Sequence, residues 1–253
     1  MNEKRGAALI TGASSGIGQA AAKGLAQAGY DVTINYSANK VGAEATETAC
    51  RAAGAETLIH QCDVSDDAAD RAMVAAAAEK FGRLDVLINN AGVSTLTPPS
   101  DLEGLDMDVW DRIFAVNVRG LFQVTRAAAP WLRDAEGCIV NTASIVGLRP
   151  GPQPFAYAAS KAAIVSLTKT LAGALAPEVR VNAVAPGWME GEWMERMLDE
   201  NYEGLMARRA RLTPLKRCVT ADDVAESMLS LITANRFVTG EIIVVDGGFA
   251  NVT

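Results

Sequence analysis

Seven short apolar runs, each followed by helix-forming residues or a turn, recur along this chain, and that alternation constrains its fold more than any other feature. Runs rich in β-branched and apolar residues at 6–11, 30–35, 57–62, 84–89, 138–144, 179–185 and 242–245 read as strands. Alanine-rich segments at 17–28, 41–53, 66–81, 107–132, 155–175 and 221–232 read as helices. Strands alternating with helices of this length build βαβ units, whose strands are parallel and whose helices cover both faces of the sheet. The expected fold is therefore α/β, a three-layer doubly wound (Rossmann) arrangement with a seven-stranded parallel sheet and right-handed crossovers. Gly29 and Gly82 fall where helices end, and no Pro- or Ser-rich linker or fixed-period repeat divides the 253 residues. A single domain spanning 1–253 is expected. The stretch 188–215, apolar and charged by turns, stands apart as an insertion and reads as a lid.

The composition excludes several classes of partner. With 49% hydrophobic and 21% charged residues the chain can bury a core. Its formal charge of −7 opposes a phosphate backbone, so no nucleic acid is expected. No apolar run approaches the roughly 18 residues of a membrane span, and strand-like residues from Gly6 onward leave no room for a secretory leader, so a cytoplasmic protein is expected. Cys50, Cys62, Cys138 and Cys218 are scattered, without C-x-x-C spacing, and His60 is the one histidine. No metal site is expected. The thiols read as inert, and His60 as a strand residue facing solvent.

In a doubly wound sheet, ligands bind beyond the carboxyl ends of the strands, so the residues following each strand are the candidates for function. After the first strand comes Thr11-Gly12-Ala13-Ser14-Ser15-Gly16-Ile17-Gly18, leading straight into a helix. Glycines there permit positive φ and let backbone amides approach a pyrophosphate, which a helix N-terminus favours. Gly12, Ser14, Ser15, Gly16, Ile17 and Gly18 are thus candidate phosphate-binding residues. This T-G-x-x-x-G-x-G turn resembles that of the short-chain dehydrogenase/reductase family, and the resemblance extends from Ala7 to Gly248. It implies that Asp63 and Val64 form an adenine pocket, and that Asn90, Ala91 and Gly92 of Asn89-Asn90-Ala91-Gly92 border the adenosine ribose. Pro186-Gly187 is similar to the family's nicotinamide-side turn.

Tyr157 and Lys161 are four residues apart in a helical run, so their side chains emerge from one face. A cation about 4 Å from the phenol contributes roughly 4 kcal/mol at an effective dielectric of about 20, enough to lower a tyrosine pKa by up to about three from its ordinary value near 10. Tyr157 is then expected to exchange protons near neutrality. Tyr36 and Lys40 have the same spacing, but Tyr36 follows the second strand, where the dinucleotide ribose belongs. Tyr157 is preceded by Asn141-Thr142-Ala143-Ser144, which brings Ser144 to a substrate oxygen. The pattern matches the family's Ser, Tyr and Lys. Asn117 interrupts an apolar helical stretch where relatives carry an Asn that holds a water on the lysine. The resemblance implies hydride transfer between a nicotinamide and a carbonyl or alcohol, with Tyr157 as acid and base, Lys161 on the ribose, and Ser144 on the substrate oxygen.

No acid follows the second strand to repel a 2′-phosphate. Tyr36, Ser37 and Lys40 are the residues expected around the ribose there, with Asn39, so NADP(H) is favoured and NAD(H) remains possible; Ser15 stands where many NADP-using relatives have Arg. Trp188, Met189, Trp193, Met194, Met197, Leu198 and Tyr202 suit either an apolar ligand or helix packing. Gly191 lies near the place of a family Thr that binds the nicotinamide amide. Bacterial 3-oxoacyl-carrier-protein reductases are among the resemblances, yet 171–174 lacks their rim Arg, leaving Arg126 and Arg133. A small keto, sugar or polyol substrate is expected, with the carrier-protein reductase and a catalytically silent dinucleotide-binding regulator as alternatives. The resemblance also implies a homotetramer built on the two long helices and the C-terminal region.

Overall fold

We analysed a computed structural model, which describes residues 5–149, 151 and 153–252. The strands are β1 (Gly6–Ile10), β2 (Tyr30–Tyr36), β3 (Thr57–Gln61), β4 (Val86–Asn89), β5 (Cys138–Thr142), β6 (Arg180–Pro186) and β7 (Ile242–Val245). They form one seven-stranded sheet in the order β3-β2-β1-β4-β5-β6-β7, every pair parallel. The chain winds outward from β1 to β3, then returns to β4 and winds the other way. The reversal between β1 and β4 opens a crevice at their carboxyl ends.

Alternation along each strand feeds two cores. Ala8 and Ile10 of β1, with Val86 and Ile88 of β4, pack under α1 (Gly16–Gln27), α2 (Lys40–Ala52) and α9 (Ala221–Thr233). Leu9 and Leu87 point the other way, under α3 (Asp67–Phe81), α5 (Leu121–Asp134) and α6 (Phe155–Leu175). A strand covered on both faces needs apolar side chains at both parities, which is why β1 and β4 read as unbroken apolar runs. Helix α3 has both end signals: Asp66 accepts from the amides of Ala68 and Ala69, and Gly82 takes a left-handed φ of 68° after the last turn.

Three expectations are corrected, for 107–132, the fifth strand and His60. The helix expected over 107–132 is divided into α4 (Met107–Phe114), a π-helical segment Ala115–Gly120 and α5. In that π segment sits Asn117, whose side chain accepts from Val93 N at 2.8 Å and donates to Val93 O at 3.0 Å and Ser160 Oγ at 3.0 Å. The fifth strand ends at Thr142, because Ser144 instead opens a 3₁₀ turn, Ile145–Gly147. The stretch 188–215 contains α7 (Glu192–Leu198) and α8 (Tyr202–Leu212). His60 is half-buried rather than solvent-facing, and burial lowers its pKa. Helix α4 stacks Trp110 on Phe114, and the chain closes with a short helix, α10 (Phe249–Val252).

Buried amides tie the strand ends together. Asn89 donates to Thr125 Oγ1 and Asn141 Oδ1, and Asn141 donates to Thr168 Oγ1, linking β4, β5, α5 and α6. All four cysteines are free and buried, and burial raises Cys50 and Cys138 to about 11 and Cys62 to about 12, as expected of inert thiols. Among the described residues no His, Cys, Asp and Glu cluster is placed to hold a metal, and no helix is long and apolar enough to cross a membrane.

Candidate active site

A cleft of about 1240 Å³ runs along the carboxyl ends of the strands. At one end, the turn after β1 is held open by its glycines. Gly12 has φ 63° and donates its amide to Asn35 Oδ1 at 3.1 Å, and Gly16 has φ 53°. A Cβ on Gly18 would lie 2.4 Å from the Gly12 carbonyl oxygen, so the helix can approach the turn only with glycine there. Ser15 caps α1 without a side-chain hydrogen bond, and no acid occupies the first turn. The leading amides of α1 are left for an anion. Thr11 Oγ1 accepts from the amides of Asn90 and Ala91, and Asn90 Nδ2 donates to the carbonyls of Thr11 and Gly12, which fixes the turn against the end of β4. This open, glycine-walled cradle with free helix amides fits a dinucleotide pyrophosphate.

The residues read from the sequence largely converge here. Gly12, Ser14, Ser15, Gly16, Ile17, Ser37, Asp63, Val64, Asn90, Ala91, Gly92, Ser144, Tyr157, Lys161, Pro186 and Gly187 all line the cleft. Gly18 lies behind the turn, where its role is close approach. Two ribose assignments are corrected. Tyr36 is buried in the core with Val32 and Ile34, because it shares their strand parity, and Asn35 lines the cleft in its place. Lys40 is exposed beyond the cleft wall, 3.7 Å from Glu44, while Ser37 and Asn39 line it. Asp63 is already engaged: Arg112 donates to its Oδ2 at 2.6 Å, and Ser65 N and Oγ donate to Oδ1. Arg112, which pins this carboxylate from α4, carries no sequence signal of its own. The amide in apolar β2 was the available sign of Asn35.

At the other end, α6 presents Tyr157 and Lys161. The Lys161 Nζ lies 5.6 Å from the centre of the Tyr157 ring and donates to Thr142 O at 2.7 Å. Ser144 hydrogen-bonds the phenol, and Ser160 Oγ donates to the Tyr157 carbonyl at 2.7 Å, in turn accepting from Asn117. Asn117 is buried off the cleft, yet a Cβ on Gly92 would stand 3.4 Å from its Oδ1 and 3.8 Å from Lys161 Nζ, so the three share one corner. The electrostatics correct the expected acidification. Burial pushes Tyr157 up to about 12, opposed by the Ser144 hydrogen bond, and pushes Lys161 down to about 8. Desolvation is the largest influence on both groups, and the ammonium is turned to the Thr142 carbonyl.

Across from Tyr157, the Trp193 ring of α7 lies 6.0 Å from the phenol ring. Met194 and Leu198 also line the cleft, while Tyr202 is turned away to accept from Gly191 N at 3.1 Å; the side chain of Met197 lies outside the described residues. Gly191 has φ 123°, and no side chain takes the place of the expected Thr there.

A doubly wound parallel sheet with this anion cradle and a Ser, Tyr and Lys group one cleft-length away defines an oxidoreductase that works with a nicotinamide dinucleotide. The family profile described as Enoyl-(Acyl carrier protein) reductase matches residues 12–250. Ketoacyl reductase 2 of the granaticin polyketide synthase, by name, from Streptomyces violaceoruber, is 42% identical over 95% of this chain and 94% of its own. The 3-oxoacyl-acyl-carrier-protein reductase FabG of Staphylococcus aureus is 36% identical over 95% and 96%. The crystal structure of NAD⁺-bound xylitol dehydrogenase superposes with a TM-score of 0.89 at 31% identity, covering 96% of this chain and 98% of that one. The chain belongs to the short-chain dehydrogenase/reductase family, and it is an NAD(P)-dependent oxidoreductase acting on hydroxyl or keto groups.

Proposed function

We propose that the chain moves a hydride between NADP(H) and the carbonyl or secondary alcohol of a small keto, sugar or polyol substrate, with Tyr157 as proton donor and acceptor. The observation that carries this reading is the meeting of the Tyr157 hydroxyl, Ser144 and Lys161 on the cleft wall. A bound nicotinamide supplies or takes up the hydride; the rest falls to the chain. In reduction, the carbonyl carbon gains the hydride and its oxygen gains the Tyr157 proton, giving an alcohol and the oxidised cofactor. In oxidation the phenolate takes the proton back. Ser144 orients and polarises the substrate oxygen. Lys161 holds the ribose hydroxyls. Asn117 acts through its main chain, since its side chain is committed to Val93 and Ser160, and holds a water that connects Lys161 with solvent.

For the cofactor, Gly12, Ser14, Ser15, Gly16 and Ile17 hold the pyrophosphate. Asp63, Val64, Asn90, Ala91 and Gly92 hold the adenosine, and Pro186 and Gly187 border the nicotinamide. Ser37 and Asn39 line the cleft after β2, and NADP(H) is favoured because no carboxylate there repels a 2′-phosphate. The NAD⁺-bound relative supports the alternative. The chain acts as one domain, with 188–215 as the substrate lid, in the cytoplasm and as a homotetramer.

The second reading, a 3-oxoacyl-carrier-protein reductase, is favoured by the names of the relatives at 42% and 36% identity. Against it, Arg126 is ion-paired with Asp67 and the chain is acidic, which leaves little to attract an acidic carrier. A panel of carbonyl compounds, including a β-ketoacyl thioester, assayed with NADPH and NADH separates these readings. Turnover of small ketones with NADPH supports the first, and turnover of the thioester alone supports the second. Silence across the panel, with cofactor still bound, points to a regulator. At least about tenfold tighter NADH than NADPH reverses the cofactor assignment.

A further inference from the structure

Of the arginines in 188–215, none of which the chemistry above uses, Arg209 is the one that lines the cleft. Arg209 of α8 is half-buried and lines the cleft together with Tyr157, Gly187 and Trp188. Its guanidinium lies 4.4 Å from the centre of the Trp188 ring and 5.5 Å from that of Phe249. Its Nε is buried with no hydrogen-bond partner. Among the described residues no carboxylate pairs with it, whereas Arg112, the other arginine lining the cleft, is paired with Asp63, and Arg217 below the lid with Asp223. Burial lowers the Arg209 pKa, and the like charge of neighbouring Arg208 lowers it further, opposed by Cys218. Glu190, exposed on the same cleft, exerts its field on Arg217 and Cys218.

A partly desolvated cation without a counter-charge is unfavourable, and stacking on aromatic faces offsets only part of that cost. The arrangement is completed by an anion arriving from the cleft. Trp188 directly follows the Pro186-Gly187 turn, and Trp193 faces the Tyr157 ring, so the stack belongs to the substrate end of the cleft. We propose that Arg209 binds the carboxylate of the substrate, and that the physiological substrate is therefore a small oxo acid or its hydroxy acid. This deepens the oxidoreductase reading and rests on it. The planar guanidinium offers parallel N–H groups to two carboxylate oxygens. A single unpaired cation among Trp188, Trp193, Met194 and Leu205 matches a monoanion on an apolar body. A phosphate carries about −1.5 to −2 and would call for more donors.

The test uses oxo acids whose carboxylate lies two, three or four methylenes from the ketone, each beside its methyl ester, with the wild-type protein, Arg209→Gln and Arg209→Lys. The wild type is expected to prefer one acid over its ester by at least about 30-fold in kcat/KM. Arg209→Gln should remove that preference while leaving the ester within about threefold, and Arg209→Lys should restore part of it. A second readout needs no turnover: hexanoate should perturb tryptophan fluorescence, its binding weakened at least about tenfold by Arg209→Gln, with hexanamide unaffected. Esters reduced as well as acids, or an Arg209→Gln loss equal for both, would overturn the carboxylate assignment and leave the oxidoreductase reading standing. Arg209-dependent hexanoate binding without reduction of any ketone would uphold the anion site and overturn the proposed reaction.

Discussion

At pH 7 the Tyr157 phenol, pushed up to about 12, is protonated, and the Lys161 ammonium, pushed down to about 8, is still largely charged. The free protein is thus poised to donate a proton to a carbonyl, while alcohol oxidation, which needs the phenolate, is favoured as pH rises. Lys161 loses its charge as pH passes about 8, and with it the hold on the ribose. The kcat/KM for NADPH, which reports the free protein, should be flat below that value and fall above it; a profile rising through pH 8–9 would contradict this. Asp70 is a second buried acid, pushed up to about 7 by burial and by Asp67, Asp66 and Asp63, with one oxygen unpartnered and Cys62 donating to the other at 3.3 Å. Because its folded pKa lies above the ordinary value, its cost to stability grows as pH rises from about 4 through 7. Asp70→Asn should raise Tm by at least about 3 °C at pH 8 and by less at pH 5, measured by thermal unfolding. An equal effect at both pH values would refute the assignment. Tyr157, Lys161 and Ser144 line one cleft, and their selection over Tyr36 and Lys40 needed the strand end before Tyr157 and the family resemblance as well as the spacing. The direction of the Tyr157 shift was not legible, because a pairwise Coulomb estimate carries no desolvation. Tyr36 was misplaced although strand parity with Val32 and Ile34 already put it in the core.

The elements that carry the site were legible because their signals are local: glycines after β1, a cap and a glycine bounding α3, apolar runs for strands. The π segment and the helices of 188–215 were not, since Asn117 in that segment finds its partners at Val93 and Ser160, distant in sequence, and α7 and α8 carry no uniform apolar stripe. Gly18 stands in close contact with the turn it follows. Gly18→Ala would drive a Cβ into the Gly12 carbonyl, a backbone atom that cannot rotate away. NADPH affinity should fall at least about tenfold, read by fluorescence titration with the helical circular dichroism checked alongside. Affinity within about twofold of wild type would show that the turn yields.

For the whole molecule, some of the exposed apolar side chains lie on the elements proposed for assembly: Phe122 and Trp131 on α5, Phe155 at the start of α6, and Val244 on β7. Covering them in a homotetramer would also brace α6, which carries Tyr157 and Lys161. Light scattering at micromolar concentration should give four times the 26.6 kDa chain mass, and a mass of 26.6 kDa would contradict the tetramer. The central claim is that the Tyr157 hydroxyl, and no other group, passes the proton at the substrate oxygen. Its most direct test is Tyr157→Phe with a ketone that the wild type reduces, measuring kcat and NADPH binding on the same preparation. Turnover should fall by about 10²–10⁴-fold while NADPH affinity stays within about threefold; a variant that keeps more than about a tenth of wild-type kcat would contradict the account.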